Sequence, residues 1–157
     1  MTIPLGFRIW GAATPQERVM AARSWIGTPF VPHAHLKGAG VDCVQLALCY
    51  YQEFSLFPLV DLGSYTMDGG RHLERSRVLE WIEESNAFMP VDISKELTRA
   101  GDLACFRVGR IPHHCGILTE MGGFVHALRG SGVKESSLAD PTWNHRLEAV
   151  FRIKEAV

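Results

Sequence analysis

Asp42-Cys43 stands where a residue able to cap a helix meets an apolar run, Val44, Ala47, Leu48 and Tyr51, at helical spacing. A thiol in the first turn of a helix faces main-chain N–H groups and the positive end of the helix dipole. Both favour the thiolate, the form of cysteine that attacks a carbonyl carbon. Cys43 is therefore the candidate nucleophile. A single cysteine is more often a small buried apolar residue, and that description fits the other three. Cys49 falls inside the same amphipathic helix, while Cys105 and Cys115 alternate with polar neighbours as inward strand residues do.

A thiolate needs a base, and His113-His114-Cys115-Gly116-Ile117-Leu118 opens a strand-like run that is followed by Gly123-Phe124-Val125-His126-Ala127-Leu128. If Glu120-Met121-Gly122 is a three-residue hairpin loop with Gly122 in the left-handed region, Thr119 pairs with Gly123 and His126 lies opposite Gly116. His114 is then the next residue on the same face, His113 points the other way, and Gly116 leaves room between the two rings. A two-residue loop would reverse the parity and separate them. Together with Cys43 these positions form a Cys-His-polar triad, His114 accepting the thiol proton and His126 orienting the imidazole.

These residues need elements to position them. Thr14-Pro15-Gln16-Glu17 reads as a capping box, with Glu17 reaching back to the Thr14 N–H. It opens a helix that buries Val19, Ala22 and Ile26 and ends near Gly27-Thr28-Pro29. Residues 30–41 read as a long irregular loop, the second helix runs from about Cys43 to Phe54, and a third from Arg71 to about Asn86 carries Leu73, Val78, Trp81 and Ile82 inward. From Gly101 the pattern changes to short strands, Asp102 to Val108, His114 to Thr119, Gly123 to Leu128 and Ala149 to Ile153. Helices first and strands afterwards predict an α+β domain with an antiparallel sheet. Trp25 and Trp81 fall at core positions, Trp10 and Trp143 lie in unassigned segments where they suit either the lining of a groove or a cover for the core, and Asp102 is expected to shape the turn into its strand.

The composition fits this reading. The chain has 157 residues, 46% apolar and 21% charged, which suits one domain over 1–157 with one hydrophobic core. A net charge of −1 lacks the basic excess of a nucleic-acid binder, and no apolar run approaches the roughly 18 residues of a membrane span. Met1 to Arg8 show no basic start followed by an apolar stretch, so no Sec-type signal is expected and the chain is expected to be made in the cytoplasm. His33, His35, Cys43, His114 and Cys115 form no compact ligand spacing, so no metal and no cofactor is expected.

Gly27-Thr28-Pro29-Phe30, Gly40-Val41-Asp42-Cys43-Val44, Ala100-Gly101-Asp102-Leu103, His114-Cys115-Gly116-Ile117 and Phe124-Val125-His126-Ala127 resemble, in order, the landmarks of the NlpC-type cell-wall cysteine peptidases. The resemblance covers about residues 15 to 130. It implies a reduced papain-like fold, N-terminal helices packed on a C-terminal antiparallel β-sheet, with Cys43 as nucleophile, His114 as base and His126 as orienting residue. It implies hydrolysis of an amide in peptidoglycan stem peptides, usually between D-glutamate and the diamino acid, through a thioester. The compact form looks most like the branch encoded beside phage tail genes. Tail proteins are thus expected partners, and the chain is expected in a virion tail or exported by another route.

The pattern departs from the family at Phe30, where members often carry a tyrosine whose hydroxyl assists near the oxyanion site, and at Val31-Pro32-His33-Ala34-His35, which replaces paired glycines. The Cys43 N–H can supply one oxyanion donor and His33 or His35 another, beside Asp42. The same triad would also serve an acyltransferase or a protein deamidase, which share the thioester and differ in acceptor. Loss of the tyrosine also suits a tail- or wall-binding module of the same fold without turnover.

Overall fold

The computed structural model describes residues 10–54, 77–109 and 111–154. After a 3-10 turn at Trp10–Ala12, helix α1 (Pro15–Arg23) opens with the Thr14 hydroxyl oxygen accepting the Glu17 N–H at 3.1 Å and Pro15 in the first turn. The Thr14 hydroxyl also donates to Glu17 Oε1 at 3.3 Å. The helix stops at Arg23, short of the expected Gly27, and a run of turns leads to Pro29. Val19 and Ala22 are buried. Ile26 is not, because it lies beyond the last helical turn where the 3.6-residue period no longer places it inward. Trp25 is buried in its stead, its indole N–H donating to Glu53 at 2.9 Å.

Residues 30–41 are more ordered than expected. They contain a small antiparallel pair, β1 (His35–Leu36) and β2 (Gly40–Val41), with His35 opposite Val41. Helix α2 (Cys43–Gln52) follows directly, and seven of its residues are buried, including Val44, Ala47, Leu48 and Tyr51. Each large apolar side chain so buried contributes roughly 1.5–3 kcal/mol. Tyr51 fixes the helix to the strand layer through its hydroxyl, which donates to the Gly101 carbonyl at 2.8 Å. Helix α3 (Arg77–Ser85) places Val78, Trp81 and Ile82 in the core. Leu73, His72 and the expected start of this helix lie outside the described residues.

The sheet has six strands: β3 (Phe88–Val91), β4 (Leu103–Val108), β5 (Ile111–Leu118), β6 (Gly123–Leu128), β7 (Gly132–Ser137) and β8 (Leu147–Ile153). A one-turn helix α4 (Pro141–Asn144) precedes β8. The order is β3-β8-β4-β5-β6-β7, antiparallel throughout. Strands β3 and β7, α4 and the β1–β2 pair were not expected from the sequence; the α+β class with helices ahead of an antiparallel sheet is as expected. Alternation splits the sheet into two faces. Leu103, Cys105, Cys115, Ile117 and Val125 join the helices in one core cluster, while Ala104, Phe106, Leu118, Phe124 and Val150 form a second with Trp143. Asp102 shapes the turn before β4 by accepting the Arg99 N–H at 2.8 Å, and it also pairs with Arg152 on β8 through both carboxylate oxygens. Among the described residues no helix is long and apolar enough to cross a membrane.

Candidate active site

Asp42 is fully buried and makes two main-chain contacts that define the start of α2. One carboxylate oxygen accepts the Gln45 N–H at 2.8 Å and caps the helix; the other accepts the His33 N–H at 2.6 Å. The second contact holds His33 at φ 65°, a left-handed conformation uncommon for any residue but glycine. Cys43 follows as the first residue of the helix, 2% exposed. The Cys115 thiol donates to the Cys43 carbonyl oxygen at 3.1 Å, so the start of α2 sits directly against β5 beside His114.

The β5–β6 hairpin has the predicted register. Ile117 faces Val125 and Leu118 faces Phe124, the Thr119 N–H donates to the Gly123 carbonyl at 2.8 Å, and Gly122 adopts φ 79°. In that register His126 is level with Gly116, and a Cβ on Gly116 would lie 3.3 Å from the Cβ of His126 and 2.9 Å from the Phe124 ring. The strands approach closely because that position has no side chain. His114 and His126 meet as a result, with 2.8 Å between Nε2 of the first and Nδ1 of the second. His126 is fully buried, and burial, with His114 and Lys134 nearby, lowers its pKa to about 3. It is neutral at physiological pH and can accept at Nδ1 while His114 donates from Nε2, an assignment of hydrogens that leaves Nδ1 of His114 to take a proton.

Of two neighbours of this pair, the sequence leaves Trp143 between a groove lining and a core cover and does not single out Ser136. Ser136 on β7 has its hydroxyl 2.8 Å from Nε2 of His126. Trp143 on α4 stacks on His114, with centroids 5.5 Å apart and 26° between planes, and meets His126 edge-on at 4.8 Å. An indole face over an imidazole stabilises the ring once it becomes a cation. The Trp143 signal was present as Asp140-Pro141, a cap and a first-turn proline opening a short helix; Ser136 carried none, since Gly132 to Ser137 lacks strand alternation.

Three of the four thiols have raised pKa values. Cys105 is pushed up to about 12 by burial, and Cys115 is raised well above its ordinary value by a hydrogen bond to the Cys43 side chain and by burial. Cys49, expected in the core, is only partly buried, and burial raises it to about 11. It sits near the open end of the β1–β2 pair, its sulfur 3.9 Å from the His35 carbonyl oxygen.

Residues 10–152 match the model of the NlpC/P60 family. The chain belongs to that family. The E. coli strain K12 murein DD-endopeptidase MepS/murein LD-carboxypeptidase is 38% identical over 65 residues, 41% of this chain and 35% of that protein, so the match spans about a third of the relative's length. A probable endopeptidase of Haemophilus influenzae is 31% identical over 132 residues, 82% of this chain and 68% of that one. The solved NlpC/p60 domain of the peptidoglycan hydrolase SagA superposes with a TM-score of 0.57 at 19% identity, over 90% of this chain and all of that domain. The helix-on-sheet arrangement is the papain-like fold of NlpC/P60 domains.

In this NlpC/P60 domain the segment before Cys43 holds Phe30, His33 and His35. Phe30 is half-buried, bridges Val41 in parallel, and has the Arg129 guanidinium 5.8 Å from its ring centre. His33 and His35 are exposed, and what ties His33 to the helix start is its main-chain N–H. Among the described residues no three His, Cys, Asp or Glu side chains are grouped to hold a metal ion.

Proposed function

We propose that this NlpC/P60 domain is a cysteine amidase of peptidoglycan stem peptides in which Cys43 is the nucleophile, His114 the general base and His126 the residue that orients it. The observation that carries the reading is the 2.8 Å contact between His114 and His126, next to the strand residue that binds the Cys43 carbonyl. In the first step the Cys43 proton moves to Nδ1 of His114 and the thiolate attacks the scissile carbonyl carbon. The Cys43 main-chain N–H, at the positive end of α2, faces the developing oxyanion. Collapse of the tetrahedral adduct breaks the C–N bond, and the proton on His114 passes to the leaving amine. A thioester remains. Water then attacks it with His114 again as base, releasing the acid and the free thiol.

The bond proposed is that between D-glutamate and the diamino acid of the stem. The name of the E. coli relative points to DD and LD bonds, so these belong in the same assay. Mass spectrometry of digests of stem peptides and cross-linked muropeptides decides the matter. Wild-type protein is expected to cut at the D-glutamyl bond, and Cys43→Ala to release no product while melting at the same temperature. Equal cleavage by that variant would rule the mechanism out.

A further inference from the structure

We propose that Ser136 is a positioning residue for this reaction: its hydroxyl holds His126 in the form that accepts from His114, and so keeps His114 able to take the thiol proton. The inference rests on the proposed roles of Cys43, His114 and His126.

The argument starts from the N···N contact. Only one of the two facing nitrogens carries the hydrogen, which allows two arrangements. In the first, His114 donates from Nε2 to Nδ1 of His126, and Nδ1 of His114 is bare. In the second, Nδ1 of His126 donates, and neutral His114 must then carry its hydrogen on Nδ1, where it cannot act as a base. The first arrangement puts the hydrogen of His126 on Nε2. His126 is fully buried, so that N–H needs a protein acceptor, or a cost of about 1–3 kcal/mol disfavours the productive form.

Ser136 supplies that acceptor: its hydroxyl can take either role toward Nε2, so it removes the cost of the productive form. The other side chains recorded against His126 offer none: Lys134, directly across the ladder, is a pure donor, Phe124 has no polar atom, and the Trp143 indole only donates. Ser136 reaches Nε2 diagonally, because its own partner across the ladder is Phe124, two residues before His126 on the same face. The need is greatest when His114 becomes imidazolium, since both its nitrogens then carry hydrogens and only the first arrangement remains.

Ser136→Val and Ser136→Thr have the same shape and the same strand preference, and differ only in the hydroxyl. Ser136→Ala is the smallest change and is measured beside them. On stem peptide, the Val and Ala variants are expected to lose about tenfold in kcat with KM unchanged, and Thr to stay within about twofold of wild type. Imidazole 15N NMR of the folded proteins reads the tautomer without substrate: His126 carries its hydrogen on Nε2 in wild type and Thr, and shifts toward Nδ1 in Val and Ala. A Val variant with wild-type kcat and tautomer overturns the inference, as does a Thr variant impaired as much as Val, which would assign the effect to strand packing. If the wild type cuts no stem peptide, the proposed reaction falls by itself and the tautomer spectra alone decide for or against Ser136.

Discussion

The thiol of Cys115 donates to the carbonyl oxygen of Cys43 at 3.1 Å, tying the strand that carries His114 to the helix that opens with Cys43. That bond requires Cys115 to keep its proton. Separately, a hydrogen bond to the Cys43 side chain, together with burial, holds its pKa well above the ordinary thiol value. With Cys105 pushed up to about 12 and Cys49 to about 11, three of the four thiols stay protonated near neutral pH. Brief iodoacetamide treatment of the folded protein at pH 7.5, an assay condition of about neutral pH where thiolate fraction sets the rate, is expected to label Cys43 alone. Peptide mapping that finds Cys115 labelled as fast as Cys43 would contradict the assignment.

Gly116 tests the hairpin. An alanine there meets the Phe124 ring at 2.9 Å and the Val125 carbonyl oxygen at 3.2 Å, and the carbonyl belongs to a paired strand that cannot yield cheaply. Gly116→Ala should cost about 1–3 kcal/mol, in the range of overpacking, and part His114 from His126. Urea unfolding and kcat are expected to fall together. Unchanged activity would show that the two rings do not need this approach.

His126 makes stability depend on pH in a definite direction. Its pKa is about 3 when folded against 6.5 for an ordinary histidine, so between those values the unfolded chain binds a proton that the folded one does not. Stability from this residue is complete above about pH 6.5 and declines toward about pH 3, with a slope of up to roughly 1.4 kcal/mol per pH unit. Urea titrations at several pH values, with His126→Gln as reference, should show a shallower decline in the variant. Parallel curves would refute the shift.

Asp42 caps α2 and pins the preceding segment with the same carboxylate. Asp42→Ala removes both contacts and should lower stability by about 1–3 kcal/mol, the cap alone accounting for about 1. Because the helix start also aims Cys43, kcat should fall more than KM rises. A variant with the wild-type urea midpoint would mean that neither contact holds the loop.

The parity of the histidines was legible because a short loop fixes register and Gly122 supplies the left-handed residue it needs. The helix start at Cys43 was legible for the same local reason, a capping aspartate ahead of an apolar period. What escaped depended on partners far away in the chain. Strand β7 exists because Lys134 and Ser136 have β6 to pair with, and its mixed burial left no period to read. The second role of Asp42 needed His33 folded back over it, and the Arg152 partner of Asp102 comes from 50 residues downstream. Ile26 misled because a helical period was extended past the turn that ends α1.

Strand β8 lies between β3 and β4, although nearly forty residues of hairpin separate it from β4 in the chain. The place between β3 and β4 is therefore vacant until β8 arrives, and long-range closures of this kind are slow to form. On a ribosome, the strands bearing both histidines emerge before the strand that locks β4 into place and brings Arg152 to Asp102. The domain thus gains its finished framework only after Cys43, His114 and His126 have been synthesised, a delay written into the order of its strands.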